Sequence, residues 1–145
     1  MTAYLDVGID PGVRTGIAIW SSAERRLLDV ATMGIVEAMT RVATMHSIGS
    51  LRRVRFEDAR LRTWFGSADK RQARSGAGVR EGVGSVKRDC QIWQEFLEAL
   101  GITFEPVKPA AGATKLDAHV FARLAKWEGR TSNHGRDAAM LVLGL

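Results

Sequence analysis

The sequence lacks most of the features that mark exported or membrane-bound proteins. A single cysteine, Cys90, excludes an internal disulfide and predicts a protein of the reducing cytoplasm with an inert, buried thiol. No apolar run approaches the roughly 18 residues that a membrane-spanning helix needs, and we see no signal-peptide pattern at the start. With 145 residues, of which 46% are hydrophobic, we expect one domain over residues 1–145, cytoplasmic and without membrane attachment.

Acidic residues are in the minority, and the positive charge is concentrated in one stretch. The chain carries 21 Lys and Arg against 16 Asp and Glu. Residues 52–88 hold eleven of these basic residues and only four of the acidic ones, so the rest of the chain is slightly acidic. Clustered positive charge predicts binding to a polyanion, and phosphate contacts make such binding strongly salt-dependent.

Within that stretch, residues 66–84 combine glycines and basic side chains with little that a core could bury. We predict a flexible basic loop at about 66–84 that is mobile until nucleic acid binds. The alternative is a disordered, solubilising loop without specific contacts. The basic residues assigned to nucleic-acid contact in and beside the loop are Lys70, Arg71, Arg74, Arg80 and Lys87.

The first apolar strand pattern of the chain ends in a carboxylate, Asp10, and is broken by Pro11 and Gly12. A charge at the end of a buried strand needs a partner, and no cationic residue stands beside Asp10 in the sequence. Asp10 is therefore a candidate metal ligand. The alternative is that its side chain only caps the turn.

The last apolar segment begins with Ser132-Asn133, a polar pair typical of a helix start. Positions three apart share a helix face, so His134 and Asp137 are expected to point the same way from the first turn. The backbone dipole there favours an ionised carboxylate and a neutral imidazole, the two states that a divalent cation requires. An ordinary solvated first turn is the alternative interpretation.

A middle strand pattern, residues 51–56, runs into a third acidic position, Glu57. A surface ion pair of Glu57 with Arg55 or Arg60 is the competing interpretation. Three separate segments thus each place an acidic residue at an element boundary. Two-metal cleavage of a phosphodiester needs such an arrangement, because two cations about 4 Å apart require several converging negative oxygens.

The pattern Ile-Asp-Pro-Gly with a following Thr-Gly, a Glu ending a middle strand and a late His-x-x-Asp resembles the RuvC group of Holliday junction resolvases. These are nucleases of the RNase H-like superfamily, and the resemblance covers nearly the whole chain. It implies a catalytic and metal site of Asp10, Glu57, His134 and Asp137, which would bind two Mg²⁺ ions, with Mn²⁺ as an expected substitute. The implied activity is metal-dependent cleavage of four-way DNA junctions in recombination and repair.

The resemblance also implies contacts with DNA. The segment from Glu105 to Pro109, ending near Lys115, resembles the part of RuvC whose lysine lies close to the DNA backbone. RuvC proteins typically carry a stacking aromatic three residues after the middle Glu, where this chain has Arg60. Trp64 and Phe65 are the nearest aromatics, and they are either stacking residues or core residues.

Strand patterns near residues 3–9, 15–20, 26–33, 52–57 and 102–106 predict the fold. The first three form an antiparallel meander, and a helix over 34–48 carries the chain to a fourth strand, parallel to and beside the first. Helices over 83–100 and 113–127 and a last helix complete an α/β arrangement. We expect an RNase H-like, five-stranded mixed sheet with three antiparallel strands, two parallel strands and helices on both faces.

Symmetric cutting of a junction implies a homodimer, for which the helix over 83–100, with Trp93 and Phe96, is the candidate surface. Other functions stay open. The chain could be a nuclease for other branched DNA or for RNA, which the Arg60 departure favours, or a non-catalytic nucleic-acid-binding module. A sugar-kinase or actin-like ATPase ranks last, because those folds duplicate the domain and need far more residues.

Overall fold

The computed structural model describes residues 4–62, 77–110 and 115–145, with the backbone alone for 77–81. Its strands are β1 (Leu5–Asp10), β2 (Arg14–Ser21), β3 (Arg26–Gly34), β4 (Leu51–Glu57) and β5 (Phe104–Val107). Its helices are α1 (Ile35–Ser47), α2 (Ala77–Leu100), α3 (Ala118–Ala125) and α4 (Asn133–Met140), with a single 3-10 turn at Ala59–Leu61.

The five strands form one sheet in the order β3-β2-β1-β4-β5. β2 pairs antiparallel with both β1 and β3, because short turns join these strands. β4 lies parallel to β1, and β5 lies parallel to β4, because a helix crosses between the members of each pair. The predicted five-stranded mixed sheet is therefore confirmed.

The central strand β1 is buried along its whole length, because helices cover both faces of the sheet. Val7 and Ile9 point to one face and join a core with side chains of α1 and α2, among them Val42 and Trp93. The other face packs against α3 and α4 through a second core that includes Phe121. In the described parts of the chain, no helix has the length and apolarity needed to cross a membrane.

Two helix boundaries differ from the sequence prediction. Helix α2 begins at Ala77, six residues before the predicted start, so the predicted loop is helical over 77–84, and 66–76 lies outside the described residues. The buried residues Cys90, Trp93 and Leu97 hold the later turns of α2 in place. Each residue that extends the helix toward its start then gains a backbone hydrogen bond, which offsets the cost of about 1 kcal/mol for placing a glycine in a helix.

Helix α3 is shorter than the predicted 113–127 because both its ends are fixed by local chemistry. The Asp117 carboxylate caps its start by accepting a hydrogen bond of 2.9 Å from the Val120 N–H. Lys126 ends it in the left-handed conformation, with φ of 54°.

The predicted dimer surface on α2 is partly wrong. Trp93 is completely buried in the core, where its ring meets Phe96 edge to face at a centroid distance of 5.7 Å. An apolar stripe on a helix has the same spacing whether it faces its own sheet or a second subunit, so the sequence pattern does not separate the two cases.

Two glycines on the central strands allow α4 to approach the sheet. A Cβ placed on Gly8 would lie 2.0 Å from the carbonyl oxygen of Ala138, and a Cβ on Gly16 would lie 2.0 Å from that of His134. Any other residue at either position would push the helix backbone away. The glycines therefore set how closely the first turns of α4 lie against β1 and β2.

We predict that Gly16→Ala lowers the free energy of unfolding by about 2–3 kcal/mol, because the new methyl group meets helix backbone that cannot rotate aside. Urea unfolding followed by circular dichroism measures this change. Gly82→Ala is the matched control: nothing lies within 4 Å of its added Cβ, and alanine in a helix should raise stability by up to about 1 kcal/mol. Equal stabilities of wild type and Gly16→Ala would contradict the close approach.

A second prediction concerns Cys90, whose thiol is fully buried against the Glu57 carbonyl oxygen at 3.6 Å. Burial raises the pKa of this thiol to about 11. Because the thiolate is the reactive form, we expect no alkylation by iodoacetamide in the native protein at about pH 8 and complete alkylation in urea. Mass spectrometry of the two samples reads out the result, and rapid native labelling would show that the thiol is accessible.

Candidate active site

The strand pairing brings Asp10 and Glu57 to one edge of the sheet. Ile9 pairs with Phe56 across the parallel strands β1 and β4, and the two acidic residues come directly after that pair. Because alternate residues of a strand face opposite sides, both carboxylates lie on the face covered by α4, away from the core beneath Ile9 and Phe56.

Helix α4 supplies the next two side chains of the site. Its start is fixed by the Ser132 hydroxyl, which accepts a hydrogen bond of 3.0 Å from the Gly135 N–H. In the turn that follows, His134 Nδ1 lies 2.8 Å from Asp10 Oδ2. Since the His134 carbonyl group rests on Gly16, which pairs with Asp10 across the strands, the backbone contact and the side-chain contact fix each other.

Asp137, one turn further along α4, contacts a residue from a separate segment. Lys115 Nζ lies 2.7 Å from Asp137 Oδ2. These two residues and Glu57 line a cavity of about 340 Å³ beside the sheet edge. The structure therefore places the four predicted catalytic residues and Lys115 at one edge of the sheet, as an Asp10–His134 pair and an Asp137–Lys115 pair with Glu57 lining the cavity beside the second pair.

Burial and the neighbouring charges both act on the pKa of the acidic groups. Burial raises the pKa of Asp10, the hydrogen bond and charge of His134 lower it, and the charge of Asp137 raises it, so the net shift is upward. Burial also raises the pKa of Glu57, and the charges of Asp10 and Asp137 raise it further. Each carboxylate would be stabilised in its ionised form by an added cation.

Asp10 differs sharply from a second carboxylate on the same face of β1. Asp6 is fully buried but accepts hydrogen bonds from Arg52, at 2.9 Å, and from Arg53, at 3.0 Å. The ion-pair partner found for Asp10 among the described residues is His134, which is neutral unless protonated. The buried charge of Asp6 is thus compensated within the chain, whereas that of Asp10 is compensated only in part.

The alternative interpretation of Glu57 as a surface ion pair is wrong. Arg55 binds Glu105 at 3.2 Å and donates to the Leu141 carbonyl oxygen at 2.6 Å. Arg60 binds Asp58 at 2.8 Å. Both arginines proposed as partners are thereby engaged elsewhere, and Glu57 faces the cavity instead.

The donor set fits a divalent cation in type and charge. Three carboxylates supply the oxygen ligands that Mg²⁺ prefers, and the imidazole of His134 suits Mn²⁺ as well. Within 4–62, 77–110 and 115–145, however, no group of three or more Asp, Glu, His or Cys is drawn close enough to hold an ion. The ligands are instead paired, Asp10 with His134 and Asp137 with Lys115.

Arg136 is a site residue that the sequence analysis missed. It is almost fully buried beside Asp137, and its Nε donates to the Leu116 carbonyl oxygen at 3.2 Å. Its Nη1 donates to the Thr131 carbonyl oxygen at 2.8 Å. Arg136 therefore joins the start of α4 to the segment that carries Lys115, a role that only the packed structure reveals.

The residues assigned to DNA contact lie in different parts of the chain. Lys115 is at the site, and Lys87 lies partly buried on α2. Arg80 is described by its backbone alone. The remaining assignments, in the loop and just before it, lie outside the described residues, namely Trp64, Phe65, Lys70, Arg71 and Arg74.

Arg60, the last of the residues assigned to DNA contact, is half-buried and is bound to other side chains of the protein. Its guanidinium group binds both Asp58 carboxylate oxygens at 2.8 Å and also donates to Gln94 at 2.6 Å and to Gln91. This network joins the 3-10 turn after Glu57 to α2. Burial raises the pKa of Asp58, but the hydrogen bonds from the Arg60 side chain and N–H lower it more, so the net pKa lies below its usual value.

We predict that Arg60→Ala costs about 1–2 kcal/mol of stability near pH 7 and that the cost shrinks below about pH 4. A depressed pKa stabilises the fold above the unfolded value of about 3.9 and loses that contribution as Asp58 becomes protonated. Urea titrations over a pH series measure the difference. Arg26→Ala, which breaks an ion pair exposed at both ends, should cost little at any pH, and a pH-independent Arg60→Ala effect would contradict this account.

Comparison with known proteins adds one likeness to this geometry. No family model matches the chain, and no curated protein matches it by sequence. Among solved structures, T. thermophilus RuvC in complex with a Holliday junction substrate superimposes with a TM-score of 0.60 over 97% of this chain and 91% of that chain. The two are 16% identical, so the likeness concerns the fold, which is the RNase H-like arrangement predicted from the sequence.

Proposed function

We propose that this protein is a metal-dependent endonuclease that cuts branched DNA, with four-way junctions as its substrate. The observation that carries the proposal is the placement of Asp10, Glu57 and Asp137, from three separate elements, at one edge of the sheet, where strand pairing aligns the first two and a common cavity is lined by the last two. Burying acidic groups together is unfavourable unless a cation joins them. The RNase H-like fold and the basic stretch over 52–88 agree with this activity.

The residues that would hold the metal are Asp10, Glu57, His134 and Asp137. Two Mg²⁺ or Mn²⁺ ions, when bound, supply an activated water and charge stabilisation for the departing 3′ oxygen of the cleaved bond. Asp10, which is buried, and Glu57, which is half-buried, provide negative charge, and the pairing of β1 with β4 fixes their spacing. His134 is half exposed, so it can orient a water or substrate group while Asp10 holds its Nδ1.

Substrate choice rests on charge and on the structural likeness. The similar protein, T. thermophilus RuvC, is in complex with a Holliday junction substrate, and the likeness extends over nearly all of this chain. The arginines nearest to Glu57 in the sequence are bound to acidic side chains of the protein, so a phosphate backbone beside the acidic edge would be held by the other basic residues. We assign Lys115, Lys87 and the basic loop to that backbone.

A four-way junction has two-fold symmetry, which a homodimer with one site per subunit would match. An apolar groove on α1 and α2, lined by Val36, Met39 and Phe96, is the surface we assign to the second subunit. Val36 is 73% exposed, so contact with a partner would bury apolar area that the monomer leaves in water.

We predict that Asp10→Asn and Glu57→Gln each reduce junction cleavage by more than about a hundredfold while junction binding is kept. Both changes remove a negative charge and preserve side-chain size. The assay incubates labelled four-way, forked and linear DNA with and without Mg²⁺ or Mn²⁺, and a gel-shift measurement follows binding. The control is Glu128→Gln, which neutralises an exposed acidic residue just after the end of α3. We expect this variant to cleave the junction at the wild-type rate.

The possible outcomes separate the competing functions. Cleavage at the wild-type rate by Asp10→Asn would contradict the proposed site. Equal cutting of forked and four-way DNA by the wild type would favour a nuclease of broader substrate range. Junction binding without cleavage under either metal would favour a non-catalytic binding module.

A further inference from the structure

Lys115 places a positive charge among the proposed metal ligands. Its ammonium lies 2.7 Å from Asp137 Oδ2, and the two side chains are 41% and 18% exposed. A lysine ammonium is a compact point charge with three donors, so it can satisfy a carboxylate in place of a metal ion. Asp137 is thereby already engaged.

The charge of Lys115 reaches beyond Asp137. Burial lowers the pKa of Lys115, but the hydrogen bond to Asp137 and the charges of Glu57, Asp137 and Asp10 raise it, and the net shift is upward. In return, Lys115 lowers the pKa of both Asp10 and Glu57. One ammonium thus stabilises three carboxylates from different elements.

The backbone next to Lys115 is held at the site. The Leu116 carbonyl oxygen accepts a hydrogen bond from Arg136, and the following residue, Asp117, caps α3. Arg136 and Asp137 are neighbours on α4. The same helix turn therefore binds the backbone of this segment through Arg136 and the Lys115 ammonium through Asp137. The ion pair is therefore supported from both partners' backbones, and the Lys115 side chain borders solvent, with 41% of it exposed.

We propose that Lys115 is an internal counter-cation that competes with divalent metal for the acidic site and is displaced when metal binds. The inference rests on the proposed function and describes how that same site is regulated. A displaced ammonium is available to a DNA phosphate, which would in turn reduce its competition with metal. Because linkage is reciprocal, DNA and metal should each tighten the binding of the other through Lys115.

The test is a calorimetric titration of Mn²⁺ into the full-length wild type and three variants without DNA. Lys115→Met removes the charge and keeps the length of the side chain, and we expect it to bind Mn²⁺ about fivefold tighter than the wild type. Lys115→Arg keeps the charge and should stay within about twofold of the wild type. Lys126→Met removes a surface lysine from the end of α3 and should leave the affinity unchanged.

A double variant shows whether the gain depends on the ion pair. In the background of Asp137→Asn, Lys115→Met should gain less affinity than in the wild type, because the main partner of the ammonium is gone. Equal or weaker Mn²⁺ binding by Lys115→Met, with measurable binding by the wild type, would overturn this inference alone. Binding by neither protein would overturn the metal site itself, and the inference with it.

Discussion

The close contact between α4 and the glycines of the central strands is the constraint on which the rest of the site depends. Gly8 and Gly16 let the carbonyl groups of Ala138 and His134 lie where a Cβ would otherwise be. The first turn of α4 consequently lies over the end of β1, and His134 reaches Asp10 while Asp137 faces Glu57 and Lys115. A longer separation would keep the same fold and the same sequence motifs but would spread the acidic groups apart.

The two buried carboxylates of β1 show how one strand serves both stability and chemistry. Asp6 is bound by Arg52 and Arg53 and contributes a satisfied, structural charge. Asp10 lies four residues further along the same face, beside Glu57 and a histidine, where its charge is only partly compensated. A buried charge without a full set of partners destabilises the folded protein. Such charges are concentrated at sites where a bound ligand supplies the missing partner.

Much of the architecture could be predicted from the sequence, because strands, turns and the crossover helix follow from local patterns. The acidic positions at strand ends, such as Asp10 and Glu57, could be predicted for the same reason. The pairings of Arg60 with Asp58 and of Lys115 with Asp137 could not, since they depend on how distant segments pack. Trp93 was misassigned because an apolar helix stripe does not identify what covers it.

Helix α2 has a mechanical consequence for the acidic edge. Its 24 residues span about 36 Å, and near the middle of that length Cys90 contacts the Glu57 carbonyl while Gln91 and Gln94 bind Arg60. The backbone that carries Glu57 is therefore attached near the midpoint of a stiff helix, whose first half lies in the most basic stretch of the chain. A shift of the whole helix would therefore move the Glu57 carboxylate relative to Asp10, so the position of α2 sets the spacing of the two acidic groups.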